Sequence, residues 1–450
     1  MKYVIGLGRS GTSLVRYLLK HQLPFIAWDD TPTLQEKAKL MGCAVVSPDK
    51  APWHAIHELI LSPGIPTTYP EPHRAVQLAR RYHIPFRGDI DYWSETLQHL
   101  GCKFIGITGT NGKSTTHAII DFILKSSGIQ CFSGGNSGVP VFDAPSLPHG
   151  SIINLEMSSY QLDITRSLCF DAGVILNITP DHLDRHGNLQ NYSVSKQIQI
   201  ERVIPGGLKV IGVDTPYSQT AYEALNAAGH TDIIPISASR VLQNGIYSQD
   251  NVVYSSKAGH RTLLGTLPDT LPGRHNAQNV MAALLVCRFL GVESHSFFQL
   301  LPQYPGLDHR QERVLDTQRA LFINDSKATN ADAALPALQT YLNIYWIVGG
   351  IAKEDGIRPL LPHLTNVDKI ILIGNSTQRF QSELTPVADK VIAAHTLDRA
   401  LNIVSEDLQT LPKKITVLLS PACASQDQFQ DFEHRGRTFK TLVRERFGTM

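Results

Sequence analysis

The amino-acid sequence predicts an α/β protein of three domains, each built around a mostly parallel sheet. Three observations support this fold class. The chain has 450 residues, which corresponds to about three domains of ordinary size. Short apolar runs typical of buried strands alternate with helix-like segments along much of the chain. Glycine-rich turns directly follow two of the strand-like runs, at residues 6–11 and 108–112.

The charge balance and the cysteine pattern exclude several classes of protein. Lysine and arginine number 41 and aspartate and glutamate 40, so the formal net charge is +1. We therefore expect neither nucleic acid nor an anionic membrane as a partner. No apolar run of the sequence approaches the ~18 residues of a membrane span. The six cysteines form no CxxC pair and there is no signal-peptide pattern, which together predict a cytoplasmic protein with reduced thiols.

The first predicted domain covers residues 1–98. Strand-like Tyr3–Ile5 is followed by the turn Gly6-Leu-Gly-Arg-Ser-Gly11, a helix from Ser13 to Lys20, and strand-like Phe25–Trp28 ending at Asp29. A G-x-G-x-x-G turn with an acidic residue about 20 positions later is the dinucleotide fingerprint of a Rossmann-like domain, for which NAD is the default ligand. Tight packing of strand and helix without a ligand is the alternative interpretation. A further strand-like run, Leu59–Ile65, contains a Ser-Pro-Gly turn at Gly64.

The segment from Lys103 to Thr116 is the strongest functional signal. An apolar strand-like run, Phe104–Ile107, leads into Thr108-Gly-Thr-Asn-Gly112, and Lys113-Ser114-Thr115 opens a predicted helix. In such a loop the backbone N–H groups and the helix N-terminus face a phosphate, the lysine adds a positive charge, and the serine hydroxyl reaches Mg²⁺. The strict P-loop pattern is not met, because its first glycine would fall at Ile107. We predict a nucleoside triphosphate site here, in a central P-loop-type ATPase domain over residues 99–303.

Two further segments of the central domain carry candidate metal ligands. Glu156 ends the strand-like run Ser151–Leu155, and a carboxylate at a strand tip beside a phosphate loop is a usual Mg²⁺ ligand. A solvated strand end is the alternative interpretation of Glu156. His182 and His186 have i,i+4 spacing, but the HExxH arrangement is absent, so we favour His182 as a single metal or phosphate contact and His186 as a surface residue. After the strand-like run Lys209–Asp214, the residues up to about 270 suggest irregular β structure.

The third predicted domain covers residues 304–450. Five strand-like runs alternate with helical segments, which indicates a second Rossmann-like, mostly parallel sheet with helices on both faces. Polar turns follow three of these runs, beginning at Asn324, Gly349 and Ser420. Because the carboxyl ends of parallel strands form the ligand-binding edge of such a sheet, we expect a ligand there.

These motifs together resemble the Mur ligase family, whose relative is folylpolyglutamate synthase. The resemblance extends over about 420 residues, and within the family it is strongest to the members that add D-glutamate. The segments that carry it occur in family order: Gly6-Leu-Gly-Arg-Ser-Gly11, Ser62-Pro-Gly-Ile65, Thr108-Gly-Thr-Asn-Gly-Lys-Ser114, Gly134-Gly-Asn136, Glu156-Met-Ser-Ser159, Asp181-His-Leu-Asp184, Gly273-Arg-His-Asn276, His309-Arg310, Asn324-Asp-Ser-Lys-Ala-Thr-Asn330 and Ser420-Pro-Ala-Cys-Ala-Ser425.

The resemblance implies an ATP- and Mg²⁺-dependent ligase of peptidoglycan precursor synthesis, acting as a monomer. The substrates would be UDP-N-acetylmuramoyl-L-alanine and D-glutamate, joined through an acyl phosphate. The alternatives are another Mur or folylpolyglutamate-type ligase, or an NAD-dependent oxidoreductase that uses the N-terminal glycine turn. An oxidoreductase would leave the phosphate loop, Glu156 and the third sheet without a role.

The resemblance also implies roles for individual residues. In the catalytic centre, Lys113 would hold the β- and γ-phosphates, Ser114 and Glu156 the first Mg²⁺, and His182 with a carbamylated Lys196 the second. Most of the other implied contacts fall into three groups by ligand. Those to ATP are Gly109, Thr110, Asn111, Gly112, Thr115, Asn276, Arg310, Asp325 and Lys327; those to the UDP substrate are Ser10, Asp29 and Asn136; those to D-glutamate are Lys327, Lys353, Ser425 and Phe432, and Gly64, Ser158, Thr329 and Gln426 are further substrate contacts.

Overall fold

The protein consists of three sheets flanked by helices, as seen in a computed structural model that describes residues 1–136, 138–354 and 356–448. Residue contacts divide the chain into two compact units. The first contains residues 1–269 and 274–304, and the second residues 270–273 and 305–450. The mixed α/β fold class with largely parallel sheets is thereby confirmed, whereas the domain boundaries after residues 98 and 303 stay predictions. In the described ranges, no helix is both long and apolar enough to cross a membrane.

The N-terminal sheet has four parallel strands in the order β2-β1-β3-β4. Its elements, in chain order, are β1 (Lys2–Ile5), α1 (Arg9–Lys20), β2 (Phe25–Trp28), α2 (Pro32–Leu40), β3 (Glu58–Leu61), α3 (Arg74–Arg81), β4 (Phe86–Gly88) and α4 (Asp89–Thr96). Helix α1 begins at Arg9 rather than at the predicted Ser13, because the Thr12 N–H already donates to the Gly8 carbonyl inside the glycine turn.

The central sheet has nine strands in the order β13-β12-β11-β10-β9-β8-β5-β7-β6. Strand β5 carries the phosphate loop and lies between β7 and β8, with which it pairs in parallel. The elements are β5 (Lys103–Thr108), α5 (Lys113–Ser126), β6 (Cys131–Gly135), β7 (Ile152–Glu156), α6 (Ser159–Asp163), β8 (Phe170–Ile175), α7 (Leu183–His186), α8 (Leu189–Glu201), β9 (Val203–Gly212), α9 (Pro216–Ala227), β10 (Ile233–Ser237), β11 (Gly245–Gln249), β12 (Val252–Lys257), β13 (His260–Thr266), α10 (Arg274–Phe289) and α11 (Ser294–Leu300).

The expectation of irregular β structure between residues 215 and 270 is wrong. Helix α9 is capped by a reciprocal pair of side-chain bonds between Thr215 and Ser218, with Pro216 at its first turn. Strands β11, β12 and β13 are antiparallel neighbours joined by two-residue turns, with one register shift at Val253 and Tyr254 in the pairing of β12 with β13. The first turn, Asp250-Asn251, has φ of 51° and 61°, the left-handed conformation that such turns require.

The second unit is built on six strands in the order β14-β15-β19-β16-β17-β18, of which only β14 is antiparallel to its neighbour. Its elements are β14 (Glu312–Asp316), β15 (Ala320–Asn324), α12 (Ala331–Thr340), β16 (Ile344–Gly349), β17 (Val367–Ile373), α13 (Thr377–Glu383), β18 (Val391–His395), α14 (Leu397–Thr410), β19 (Ile415–Leu419) and α15 (Phe432–Phe447). The five predicted strands are confirmed, and β14 is an addition that the sequence patterns did not indicate.

Helices cover both faces of this third sheet. Along β16, Ile344, Trp346 and Val348 pack into one hydrophobic core. Tyr345 and Ile347, which alternate with them, pack into the other. Every second side chain of a strand points to the same face, so a strand that is buried on both sides reads as one continuous apolar run. This packing places the polar turns after β15, β16 and β19 at one edge of the sheet.

Candidate active site

The phosphate loop joins the end of β5 to the start of α5 in a conformation that depends on its glycines. Gly109 and Gly112 have φ of 155° and 86°, which side-chain-bearing residues rarely adopt. The Lys113 ammonium folds back over the loop and donates to the carbonyls of Gly109 (2.7 Å) and Thr110 (2.9 Å). The N-terminus of α5, where Ser114 is partly buried and Thr115 is buried, opens onto the loop and offers a positive helix end to an anion.

Helix α10 packs against this loop through Asn279. A Cβ atom on Gly112 would lie 2.2 Å from the Asn279 side-chain oxygen, so only glycine fits there. The same oxygen accepts from the Thr116 hydroxyl at 3.3 Å, and Asn279 Nδ2 donates to Asn276 Oδ1 at 3.4 Å. Asn276, the predicted nucleotide contact, is thereby held close to the phosphate loop.

Glu156 is the last residue of β7 and is only 2% exposed. The interpretation of Glu156 as a solvated strand end is therefore wrong. Its Oε1 atom accepts from the Asn136 side chain at 3.2 Å, and its carbonyl accepts from the Asn136 N–H at 2.8 Å. Because β7 pairs with β5 and Glu156 lies opposite Ile107, the buried carboxylate borders the phosphate loop.

Lys196 lies on α8 on the other side of β5 and is only 1% exposed. Its amine donates to the Thr108 hydroxyl at 3.4 Å and lies 4.6 Å from the centre of the Tyr192 ring. Burial, with a smaller contribution from the nearby positive charge of Lys113, holds the pKa of Lys196 well below its ordinary value. A lowered pKa favours the neutral amine, the form in which an amine can react with CO₂.

His182 lies just before helix α7 and His186 is its last residue, and both rings pack against Tyr160 and Tyr192. Residue His182 precedes α7 with φ of 53°, and its Nδ1 atom lies 3.1 Å from the Tyr160 hydroxyl. Burial lowers the pKa of His182, and repulsion from Lys196 and Lys113 lowers it further. The His182 ring therefore lies close enough to both lysines to be affected by their charges.

The expectation that His186 lies on the surface is wrong. This side chain is 4% exposed and its two ring nitrogens contact the hydroxyls of Ser159 (3.0 Å) and Ser195 (3.2 Å). Burial lowers its pKa to about 4. His186 therefore ties the turn after Glu156 to the helix that carries Lys196.

In the glycine turn after β1, packing within the protein already requires two of the three glycines. A Cβ on Gly6 would lie 2.6 Å from Ser62 Cβ, and one on Gly11 would lie 1.8 Å from the Gly6 carbonyl oxygen. A Cβ on Gly8 would meet nothing within 4 Å, so this glycine leaves the turn open to a ligand.

The predicted UDP-substrate residues surround that turn. Asp29 accepts from the N–H groups of Leu7 (2.6 Å) and Thr31 (2.8 Å), and the Ser10 hydroxyl bonds to buried Asp89. The Arg9 guanidinium donates to the Gly138 carbonyl, which places the turn beside the loop that contains Asn136. Of the further predicted substrate contacts, Gly64 is exposed and Ser158 caps α6 with Gln161.

In the second unit, the predicted nucleotide contact Asp325 is buried just after β15. Its carboxylate accepts from the Ser420 hydroxyl (2.7 Å) and the Gln311 N–H (3.1 Å), and burial raises its pKa to about 7 despite the positive charge of Arg310. The Lys327 ammonium lies 5.8 Å from the centre of the Phe432 ring, so these two predicted residues meet.

The predicted D-glutamate residues lie beyond β15, β16 and β19. An isolated bridge pairs Ile351 with Ala424, which brings the turn of exposed Lys353 next to that of buried Ser425. The enclosed Ser425 hydroxyl has no hydrogen-bond partner among the described residues, and the Ser425 N–H donates to the Gln426 side chain at 3.1 Å. Thr329 is partly buried one residue before the cap of α12.

Two family models match the sequence of this chain. A model described as "Mur ligase middle domain" matches residues 107–287, and one described as "Mur ligase MurD-like, N-terminal domain" matches residues 1–82. A protein of Phenylobacterium zucineum, named UDP-N-acetylmuramoylalanine--D-glutamate ligase, is 39% identical, with 98% of this chain and 95% of that protein covered. A protein of the same name from Caulobacter vibrioides is 40% identical, with 98% and 94% covered.

The chain belongs to the Mur ligase family. Solved structures agree with this at the level of fold. UDP-N-acetylmuramate-alanine ligase from Thermotoga maritima superimposes with a TM-score of 0.57 at 16% identity over 99% of both chains. A pseudomurein peptide ligase type C from Methanothermus fervidus gives the same TM-score at 17% identity, also over 99% of both chains.

For a Mur ligase, the candidate magnesium ligands have a suitable composition. Within the described ranges, no group of three or more His, Cys, Asp and Glu side chains converges as an all-protein metal cage would require. Magnesium bound to a nucleotide needs no such cage, since it takes one or two carboxylates together with phosphate and water oxygens. The buried Glu156 carboxylate beside the phosphate loop fits that requirement.

Three residues of this Mur ligase site escaped the motif search. Tyr160 contacts His182, Tyr192 contacts both Lys196 and the Thr110 hydroxyl (3.0 Å), and Asn279 packs beneath Gly112. Helical spacing could have indicated two of them, since Tyr192 precedes Lys196 by one helical turn and Asn279 follows Asn276 by almost one turn.

Proposed function

We propose that this Mur ligase joins D-glutamate to UDP-N-acetylmuramoyl-L-alanine at the expense of ATP. The observation that carries the proposal is the 39–40% identity, over almost the whole chain, to proteins named for that activity. The phosphate loop and the buried residues Glu156 and Lys196 near it offer the groups that such an ATP-dependent activity needs. We expect the enzyme to act as a monomer in the cytoplasm, where ATP is available.

The proposed reaction proceeds in two steps. The carboxylate of the L-alanyl end attacks the γ-phosphorus of ATP, which forms an acyl phosphate and releases ADP. The amine of D-glutamate then attacks the acyl carbon, and inorganic phosphate leaves from the tetrahedral intermediate. Both steps bring together anions that repel each other, so positioning and fixed positive charge must supply most of the rate enhancement.

The residues of the central sheet would hold the reacting phosphates. Lys113 can exchange its bonds to the loop carbonyls for the β- and γ-phosphate oxygens, and the N-terminus of α5 presents the positive end of the helix to the phosphates. Mg²⁺, held by Ser114 and Glu156 and at a second position by His182 and a carbamylated Lys196, would neutralise phosphate charge. Asn136 orients the Glu156 carboxylate through its 3.2 Å bond.

The first and third sheets would bind the two substrates. One is the UDP-linked substrate whose carboxylate ATP activates, and the other is D-glutamate. Ser10, Asp29 and Gly64 stand at the edge of the first sheet, where a uridine diphosphate group would bind. Lys327, Lys353 and Ser425 stand at the equivalent edge of the third sheet, where two lysines can pair with the two carboxylates of D-glutamate. Arg310, Asp325 and Asn276 are the proposed contacts to the nucleoside of ATP.

Phosphate release assayed over a panel of amino acids tests the proposal directly. We expect release only when ATP, UDP-N-acetylmuramoyl-L-alanine and D-glutamate are all present. Release that requires an L-amino acid or a diamino acid instead would assign the chain to another ligase of the family. NADH consumption without phosphate release would favour the oxidoreductase alternative and contradict the proposal.

A further inference from the structure

Asn177, which follows β8, holds the tip of the phosphate loop through both its backbone and its side chain. Its carbonyl accepts from the Thr110 N–H at 3.0 Å. Its Oδ1 accepts from the Asn111 N–H at 2.9 Å, and its Nδ2 donates to the Asn111 carbonyl at 3.2 Å. The carboxamide therefore satisfies both backbone groups of Asn111, in the way that a neighbouring strand would.

Two further side chains fix the orientation of that carboxamide. Asn177 Nδ2 also donates to Gln278 Oε1 at 3.2 Å, and Gln278 Nε2 donates to Asp214 Oδ2 at 3.0 Å. A carboxylate only accepts hydrogen bonds, so the Gln278 amide must turn its NH₂ toward Asp214 and its oxygen toward Asn177. That oxygen in turn requires the NH₂ of Asn177, which leaves Asn177 Oδ1 for the Asn111 N–H.

Asp214, the first residue in this chain of hydrogen bonds, is itself held by several further bonds. The Asp214 carboxylate also accepts from the Ala238 N–H (2.8 Å) and from the Ser237 and Ser239 hydroxyls (2.5 and 2.6 Å). Gln278 is 5% exposed, and a Cβ on Gly212 would lie 2.5 Å from its Nε2. The orientation is thus set at the end of β9 and transmitted through α10 to the phosphate loop.

We propose that Asn177 is a positioning residue for ATP binding and that Gln278 and Asp214 lock it in the required orientation. This inference rests on the proposed function, since it assumes that the loop binds ATP. The Asn111 N–H is committed to Asn177, which leaves the N–H groups at the start of α5 to face phosphate. A loop held in this shape before ATP arrives avoids the ordering cost of a flexible one.

The test measures ATP binding and amide hydrogen exchange in the parent, Asn177→Ala, Gln278→Ala and the double variant. Asn177→Ala should weaken ATP binding roughly ten- to hundredfold, because two hydrogen bonds to the loop are lost. The Asn111 amide should exchange faster, while the Thr110 amide, bonded to the main-chain carbonyl of residue 177, keeps its protection. The KM for D-glutamate should not change.

The matched control is Asn226→Ala, which removes a single bond to the Tyr222 carbonyl in α9 and should leave ATP binding unchanged. The double variant should be no weaker than Asn177→Ala alone, because Gln278 acts through Asn177. If the two single losses of ATP affinity add up in the double variant, Gln278 does not act through Asn177. Should Asn177→Ala fail to fold, Gln278→Ala decides alone: a severalfold loss of ATP affinity with faster Asn111 exchange supports the proposal, and parental values overturn it.

The experiment separates this inference from the function on which it rests. If the parent does not bind ATP, the proposed function fails before any variant is compared. If the parent binds ATP and Asn177→Ala binds it equally well with an equally protected Asn111 amide, the positioning role is wrong and the ligase proposal stands.

Discussion

The amine of Lys196 and the hydroxyl of Thr108 are joined by a 3.4 Å hydrogen bond at the end of the strand that carries the phosphate loop. The lysine is 1% exposed and lies near Lys113, and its pKa is depressed mainly by burial. A buried lysine with a lowered pKa beside a candidate phosphate site is an unusual arrangement. Its consequences can be measured.

We expect Lys196 to carry a carbamate in the active enzyme. Lys196→Ala should lose activity on the order of a hundredfold or more, because loss of a residue that merely supports a metal ligand already costs about 10- to 100-fold, while ATP binding measured by calorimetry persists. Lys209→Ala, which removes a lysine that pairs with Asp232, serves as the control and should retain activity. A crystal structure of the active, magnesium-bound enzyme with an unmodified amine at residue 196 would contradict this prediction.

Lys113→Ala should abolish most turnover. The substitution removes the positive charge from a site crowded with phosphate oxygens, and loss of one partner of a buried charge pair costs about 3–5 kcal/mol. That corresponds to about two to four decades in rate. The check is kcat/KM for ATP at saturating levels of the other substrates. Turnover within tenfold of the parent would mean that the ATP site lies elsewhere.

Ser425→Ala should weaken D-glutamate binding without destabilising the free protein. The buried Ser425 hydroxyl has no hydrogen-bond partner in the part of the chain that the structure describes, so its removal breaks no hydrogen bond there. We expect the thermal midpoint to stay constant or rise and the KM for D-glutamate to increase severalfold. Ser420→Ala is the contrasting control, because it breaks the bond to Asp325 and should lower the midpoint. A lower midpoint for Ser425→Ala with an unchanged KM would refute the assignment.

Lys353→Ala should raise the KM for D-glutamate selectively. Loss of one partner from a charge-assisted contact costs about 1.5–3 kcal/mol, or roughly 10- to 150-fold in KM. The KM for ATP should stay constant, because the lysine is assigned to the acceptor and not to the nucleotide. Lys413→Ala removes an exposed lysine paired with Asp368 and should change neither constant. A raised KM for ATP alone would remove Lys353 from the acceptor site.

Asp89 should contribute stability at low pH that is lost as the pH rises from about 4 to about 6. Burial raises the pKa of this carboxyl from 3.8 to about 6. The folded state therefore binds the proton more tightly than the unfolded state, so the stabilisation is complete below pH ~4 and is lost as pH rises through 6. In Asp89→Asn this contribution disappears. The unfolding free energy of the parent relative to the variant should decrease by about 3 kcal/mol across that interval, measured by denaturant titration; a constant difference would rule out the shift.

Short-range patterns in the sequence were sufficient to predict the fold class, most strands and the phosphate loop. Gly109 and Gly112 break an apolar run and precede Lys113, and this order already encodes a strand, a tight turn and a helix. The motifs were likewise sufficient to indicate the Mur ligase family. These features depend on residues that are neighbours in the chain, where backbone dihedral preferences and side-chain periodicity act directly.

Tertiary structure alone decided the environment of each polar group. His186 is buried between Ser159 and Ser195, burial lowers the pKa of Lys196, and Asn177 bonds to Asn111 across 66 positions of the chain. These contacts arise because the sheet order places β8 and β7 on either side of β5, whereas in the sequence β7 and β8 both follow it. Burial and orientation depend on which distant segments become neighbours, and no local pattern of residues specifies that.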